Sequence, residues 1–264
     1  MMQQGYGDPL TREALLSYLE DGEALPRVYV YDTLDSTNTA AKALAVEVGE
    51  DTDPCLIVAH GQTAGRGRMG RSFYSPPESG VYFSILLPSV SCLPDAVSVT
   101  CAASVAVMRA LRRLSGKQTA IKWVNDLYYN QKKVCGILCE GMTQAGRQSL
   151  IVGIGINLRP AAFPEEIREI AGSMEDGQTP RAALIAAVYT ELLPYLLHPT
   201  DRSWLTDYRT CSMVLGRQVR WMRDGVWQEG KAYAIDEDGA LLVSDAHGDS
   251  HRLCTGEISV RLTP

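Results

Sequence analysis

Between two apolar runs of strand length, Cys55-Leu56-Ile57-Val58-Ala59 and Gly80-Val81-Tyr82-Phe83-Ser84-Ile85-Leu86-Leu87-Pro88, the chain inserts Gly65-Arg66-Gly67-Arg68-Met69-Gly70-Arg71. Glycine lets backbone N–H groups converge on a ligand without a Cβ in the way, and each arginine offers a planar fork of donors suited to phosphate or carboxylate. The expected structure is therefore a loop between strands that holds an anion, and the expected ligand carries phosphate. Gly/Arg tails of RNA-binding proteins repeat such units many times in low-complexity sequence. Here the unit occurs once, bounded by strands on both sides.

The remainder of the chain is acidic, with a formal net charge of -6 over 264 residues. That sets the basic loop apart as a local device and argues against non-specific nucleic-acid binding, whose footprint is a basic surface. The length fits one large domain with a small appendage, or two modest domains. Hydrophobic and charged fractions of 45% and 21% are those of a soluble globular protein. No apolar stretch approaches the roughly 20 residues of a membrane span, and Met1 to Asp8 lacks the layout of a signal peptide, so a cytoplasmic location and no membrane partner are expected. Seven cysteines at irregular spacing do not suggest a disulfide framework. Cys135 and Cys139, four residues apart on an expected strand, lie about 13 Å from each other, too far for one zinc ion. All seven are expected to be buried structural thiols, and His60, His198, His247 and His251 show no ligand or triad spacing. No metal site made by side chains is expected.

Asp8-Pro9 precedes a helical pattern from Leu10 to Glu20, closed by Asp21-Gly22. A strand follows from Arg27 to Leu34, and Asp35-Ser36-Thr37-Asn38 offers cap chemistry for an Ala-rich helix at 39–48. Residues 95–114 read as a long buried helix ended by Ser115-Gly116, with strands at 119–124, 133–139 and 149–156, and Thr179-Pro180 opens a helix to about Leu197. This order predicts an α+β domain, helices lying on one face of a mainly antiparallel or mixed sheet. After Leu215-Gly216 the spacing changes to short strands at 218–223, 226–235, 240–244, 250–254 and 258–261, split by glycine-containing turns. They predict a small barrel, with domains at 1–213 and 214–264.

Three further segments carry chemistry-bearing residues. Ser36-Thr37-Asn38 is explained locally as a helix cap, or functionally as donors and acceptors for a small polar ring at a strand end. Lys122-Trp123-Val124-Asn125-Asp126, read as a strand, alternates Lys122, Val124 and Asp126 against Trp123 and Asn125. A buried tryptophan followed by a turn is the plain alternative. Lys133 opens the next strand close enough to Asp126 to neighbour it across a hairpin. Gly153-Ile154-Gly155-Ile156-Asn157 places glycines at alternate strand positions, where a ligand or another backbone approaches closely.

As an ordered set, these segments with Gln62-Thr63-Ala64 ahead of the arginine loop, Ser75-Pro76 after it, Gly136-Ile137-Leu138 and the terminal Gly256-Glu257-Ile258-Ser259 resemble the biotin protein ligase family over nearly the whole chain. The resemblance implies a class II synthetase-like catalytic domain, its mixed sheet flanked by helices, with a small C-terminal SH3-like β-barrel. It implies ATP-dependent activation of biotin to biotinyl-5′-AMP and transfer to a lysine of a biotin carboxyl carrier domain of a carboxylase, with Mg²⁺ assisting, and it is compatible with a homodimer. Carried over residue by residue, it places Ser36, Thr37, Asn38, Gln62, Arg66 and Gly67 at biotin, Arg68 and Lys133 at its carboxylate and the α-phosphate, and Arg71, Trp123 and Asn157 on the nucleotide side. Phe73 stands where the family commonly has Trp and Val124 where it commonly has Pro. Some members carry a DNA-binding helix-turn-helix domain; the stretch ahead of Arg27 is too short for one, so no DNA partner is expected.

The chemistry fits the residues independently. A carboxylate attacking an anionic phosphate brings like charges together, and Arg68, Arg71 and Lys133 are suitable cations to lower that barrier. No side-chain nucleophile is required. A lipoate ligase shares the expected chemistry, but the Ser36-Thr37-Asn38 segment and the arginine loop argue against it.

Overall fold

The computed structural model describes residues 8–19, 24–48, 53–223, 225–254 and 261–262. Seven strands form the main sheet: β1 (Arg27–Leu34), β2 (Cys55–Gln62), β3 (Gly80–Val90), β4 (Ala120–Lys122), β5 (Asp126–Tyr129), β6 (Lys132–Gln144) and β7 (Arg147–Asn157), in the order β1-β2-β3-β7-β6-β5-β4. β1 and β2 are parallel and every other pairing is antiparallel, so the sheet is mixed. Its helices are α1 (Arg12–Leu16), α2 (Thr37–Glu47), α3 (Ala96–Ser115), α4 (Arg181–Leu197) and α5 (Leu205–Thr210).

The helices divide between the two faces rather than sharing one. Strand alternation on β2 sends Cys55 and Ile57 against Ala41 and Ala45 of α2, whereas Leu56 and Val58 join the larger core under α3 and α4. A central strand covered on both sides reads as an unbroken apolar run, which hides the side its helices take. α3 is fixed at both ends: the Asp95 carboxylate accepts from the Ser98 N–H at 3.0 Å, and Gly116 closes the helix at φ 70°.

Three local expectations are corrected. Thr11, not Asp8, caps α1, accepting from Ala14, and α1 spans five residues; the Asp21-Gly22 stop lies outside the described residues. Asp8 instead lies 2.7 Å from Arg159 and 3.2 Å from Arg181, two almost fully buried guanidinium groups that need a nearby counter-charge. The strand expected at 119–124 ends at Lys122, and Trp123, Val124 and Asn125 form the turn into β5. The alternation of side chains across that segment is therefore lost. The expectation that all seven cysteines are buried fails at Cys92, which is exposed.

β8 (Gln218–Arg223), β9 (Val226–Ile235), β10 (Leu241–Ser244), β11 (Ser250–Leu253) and β12 (Arg261–Leu262) form a separate antiparallel sheet in the order β11-β10-β9-β8-β12. The Gly256-Glu257-Ile258-Ser259 segment lies outside the described residues. This sheet docks through the β9–β10 turn. The Gly239 carbonyl accepts from the Trp123 indole at 2.9 Å, and the Ile235 carbonyl accepts from Arg209 at 2.9 Å.

Candidate functional site

Ser36, Thr37 and Asn38 are all buried where β1 gives way to α2; Ser36 occupies the N-cap position of α2 but makes no side-chain cap bond. Thr37 and Asn38 turn toward the sheet. Thr37 donates its N–H to Gln62 Oε1 at 2.8 Å, and Gln62 in turn donates to Ser75 Oγ at 2.8 Å. Ser84 Oγ lies 2.8 Å from Thr37 Oγ1 and 2.7 Å from Asn38 Oδ1, while Asn38 Nδ2 donates to the Leu138 carbonyl at 3.2 Å and to Glu140 Oε2 at 2.9 Å. The Asn38 amide is thereby fixed in orientation. Gly153 is required beneath it, since a Cβ there would overlap the Asn38 side chain, and a Cβ on Gly155 would overlap the Phe73 ring. The close approach expected at these glycines is thus made by side chains. A cavity of about 20 Å³ remains among Ser36, Thr37, Asn38, Gln62, Arg66 and Phe73.

The arginine loop leaves and rejoins the sheet as a narrow excursion. Phe73 N–H donates to Gly65 O at 2.8 Å and Gly67 N–H to Arg71 O at 2.7 Å, around a turn at Arg68–Gly70 in which Met69 (φ 56°) and Gly70 (φ 71°) are left-handed. Arg68 is folded inward. Its Nη1 donates to Asn125 Oδ1 at 3.1 Å, while Nη2 is buried with no hydrogen-bond partner, and burial outweighs the nearby Asp126 charge to push its pKa down. A buried guanidinium with an unused donor favours an anion beside it.

Asp126 and Lys133 meet as expected across a hairpin, whose turn residues Asn130 (φ 48°) and Gln131 (φ 64°) are left-handed, and Lys133 Nζ lies 2.6 Å from Asp126 Oδ1. The backbone of Lys133 is clamped by the segment after β7: its N–H donates to Ile170 O at 2.8 Å and its carbonyl accepts from Gly172 at 2.9 Å. Arg66, Arg68, Arg71, Lys122, Trp123, Asp126 and Lys133 border a cavity of about 140 Å³. It adjoins a cleft of about 710 Å³ walled by Tyr74, Tyr128, Phe163, Ile167 and Ile170, with Asn157 at its edge. Burial and the Asp126 charge raise the Tyr128 hydroxyl to about 12, so it is a neutral donor at physiological pH. Among the described residues no group of three His, Cys, Asp or Glu side chains is placed to hold a metal ion.

The structure therefore gathers Ser36, Thr37, Asn38, Gln62, Arg66, Gly67, Arg68, Arg71, Trp123, Lys133 and Asn157 along one continuous depression. The side-chain donors of Trp123 and Asn157, expected on the nucleotide side, are committed to main-chain carbonyls. The Trp123 indole N–H is used by Gly239, and Asn157 Nδ2 donates to the Gly172 carbonyl at 2.9 Å. Ser84, Glu140 and the wall at 163–171 were not legible as site residues. Ser84 had a signal, a lone hydroxyl in an apolar strand; Glu140 shares the two-residue period of Gly136 and Leu138.

A small polar pocket adjoins a cationic cavity and then a large cleft with aromatic walls. Residues 30–157 match the Biotin/lipoate A/B protein ligase family and residues 214–261 the Biotin protein ligase C terminal domain. The bifunctional ligase/repressor BirA of Bacillus subtilis is 33% identical over 231 residues, 83% of this chain and 69% of that one. The biotin--[acetyl-CoA-carboxylase] ligase of Paracoccus denitrificans is 32% identical over 233 residues, 81% of this chain and 92% of that one. The solved biotin protein ligase from Aquifex aeolicus in complex with biotin and ATP is similar with a TM-score of 0.77 at 28% identity, covering 90% of this chain and all of that one. The chain belongs to the biotin protein ligase family, and it is a biotin ligase enzyme.

Proposed function

We propose that the three joined cavities are the path of one reaction: biotin plus ATP gives biotinyl-5′-AMP and pyrophosphate, and the acyl group then passes to a lysine amine of a biotin carboxyl carrier domain of a carboxylase. The observation that carries this reading is their continuity. Arg66, Phe73, Gly136 and Leu138 border both the small pocket and the cationic cavity, and Arg71, Lys122, Asp126 and Lys133 border both the cavity and the large cleft. A bicyclic ring held by Ser36, Thr37, Asn38 and Gln62 directs its carboxylate past Arg66 and Gly67 toward Arg68 and Lys133. ATP in the large cleft, with Arg71, Trp123 and Asn157 on its side, brings its α-phosphate to the same point.

There the carboxylate oxygen bonds to phosphorus and the bond to pyrophosphate breaks; Arg68 and Lys133, fixed before reaction, meet the charge that accumulates. Asp126 offsets part of the cation excess and holds the Lys133 amine in place. Mg²⁺, which keeps most of its ligands as water and phosphate, needs no protein cage; Asp126, the one carboxylate among the described residues that border the cavity and cleft, is the residue that would hold it, and the ion would supply positive charge to offset that of the leaving pyrophosphate. The mixed anhydride is shielded from water by the arginine loop. The carrier amine then attacks its acyl carbon, and AMP leaves.

The division at 1–213 and 214–264 belongs to the same proposal, supported by two separate sheets. Absence of operator binding is a further part, supported by the acidic net charge, and a gel shift with a biotin-operon promoter tests it. The main test is incubation with biotin, Mg-ATP and a carrier domain, with lipoate in a parallel arm. Biotin transferred to the carrier is the expected result; pyrophosphate release with lipoate but not biotin overturns the reading.

A further inference from the structure

Glu140 lies on β6 one period beyond Leu138, on the strand face that borders the small pocket. Its carboxylate meets three side chains, two from α2 and one from the arginine loop. Oε2 accepts from Asn38 Nδ2 at 2.9 Å; Oε1 lies 2.6 Å from Lys42 Nζ, one helical turn further along α2, and 3.4 Å from Arg66 Nη2 in the arginine loop. The Glu140 side chain is 18% exposed and that of Arg66 45%, so the contact runs from the protein interior to a loop at the surface. Arg66 projects from the loop that Gly65–Phe73 and Gly67–Arg71 backbone bonds close upon themselves, and none of those bonds ties the loop to β6. Arg66 to Glu140 makes that tie.

We propose that Glu140 is a positioning residue that latches the arginine loop over the acyl pocket through Arg66 and sets the donor direction of Asn38 through its other oxygen, an inference that rests on the reading of the pocket above. A carboxylate suits both tasks. It only accepts, so the Asn38 amide is held with nitrogen toward β6 and oxygen toward Ser84, and it is charged, so the arginine is drawn in. Glutamine in its place still accepts from Asn38 but no longer attracts Arg66. The two tasks therefore separate by substitution.

Glu140→Gln is expected to speed dissociation of biotin and of biotinyl-adenylate about three- to tenfold, the scale of a partly exposed charge-assisted pair. The KM for biotin should rise in proportion, while kcat for pyrophosphate release and the KM for ATP stay within about twofold; a merely structural loss would move all of them. In an Arg66→Met background, Glu140→Gln should add nothing to dissociation. Adding Lys42→Met to Glu140→Gln should not restore slow dissociation, since a stranded lysine is not the cause. An unchanged KM for biotin, an undiminished effect in the Arg66→Met background, or restoration by Lys42→Met each overturns the latch. These results are read against wild-type enzyme: if it binds no biotin, the functional reading falls together with the latch; if it is active and the variant matches it, the latch alone falls.

Discussion

At the ring end of the cleft Thr37, Asn38 and Gln62 spend their hydrogen bonds on one another, on Ser75 and Ser84, on the Leu138 carbonyl and on Glu140; at the phosphate end Arg68 keeps a buried Nη2 without a hydrogen-bond partner, near Arg71, Lys122 and Lys133, with Asp126 the only carboxylate among the described residues that line the cavity. Neutral groups out of water are costly unless paired, so that pocket is assembled in advance and recognises by shape and fixed polarity. Cations gathered around a half-open cavity attract an anion into it, so that end recognises by charge and contributes most where charge develops. One end is organised for affinity and the other for rate, and substitutions at the two ends should separate these quantities.

The largest separation is expected for Lys133→Ala. Loss of one preorganised electrostatic donor costs about 2.7–4 kcal/mol, or about a hundred- to thousandfold in pyrophosphate release. Calorimetric biotin affinity should fall far less, because in the proposed reaction Lys133 meets the carboxylate and the phosphate rather than the ring that Ser36, Thr37, Asn38 and Gln62 hold. Equal loss of both would merge the two ends into one. The opposite result is expected for Gly153→Ala, whose methyl group displaces the Asn38 amide from Leu138 and Glu140. Stranding buried polar groups costs about 1–3 kcal/mol, so biotin affinity should fall roughly five- to hundredfold while ATP affinity holds.

How far each end was legible before the structure follows from the same physics. Charge announces itself in sequence, so the arginine loop and the Asp126–Lys133 hairpin were readable from composition and spacing. The ring end was not readable from local residues: Ser36-Thr37-Asn38 has the chemistry of a helix cap, and only the long-range partners Gln62, Ser84, Leu138 and Glu140 turn it into a pocket. The strands were found because apolar runs and turns are local, whereas the side chosen by α2 depends on a parallel β1–β2 crossover that periodicity does not encode. Lys122 to Asp126 alternates acceptably as a strand, so sequence leaves strand and buried tryptophan with a turn both open; the turn that forms is stabilised from outside, by the Trp123 bond to Gly239 more than a hundred residues away.

A smaller effect is expected at the seam between the ends. Arg68 is the residue that reaches from the loop to Asn125, and Arg68→Gly removes that bond together with a cation. Adenylate should still form but escape sooner, about three- to tenfold, since lost contacts are felt mainly in dissociation. With biotin, Mg-ATP and serum albumin, the variant should biotinylate albumin more than wild type does. Pyrophosphate release without added labelling would show that Arg68 acts in formation only, and belongs wholly to the rate end.

The smallest effect concerns acid. Burial tends to raise the Glu140 carboxyl, but hydrogen bonds from Lys42 and Asn38 and the charges of Lys42 and Arg66 outweigh it and hold it below its ordinary 4.5. The unfolded chain thus takes up this proton more readily than the folded one. Stability from Glu140 is present above the unfolded value and is lost as pH falls through the lower, folded value. For a pair open to water on one side this is about 1 kcal/mol or less, roughly 2–4 °C in Tm for a chain of this size. Wild type and Glu140→Gln should therefore differ most in Tm above about pH 5 and converge as the pH drops toward 3. A difference that persists undiminished at pH 3 would mean that the contribution of Glu140 is packing rather than charge, and the ring end would then owe nothing to its one ionised carboxylate.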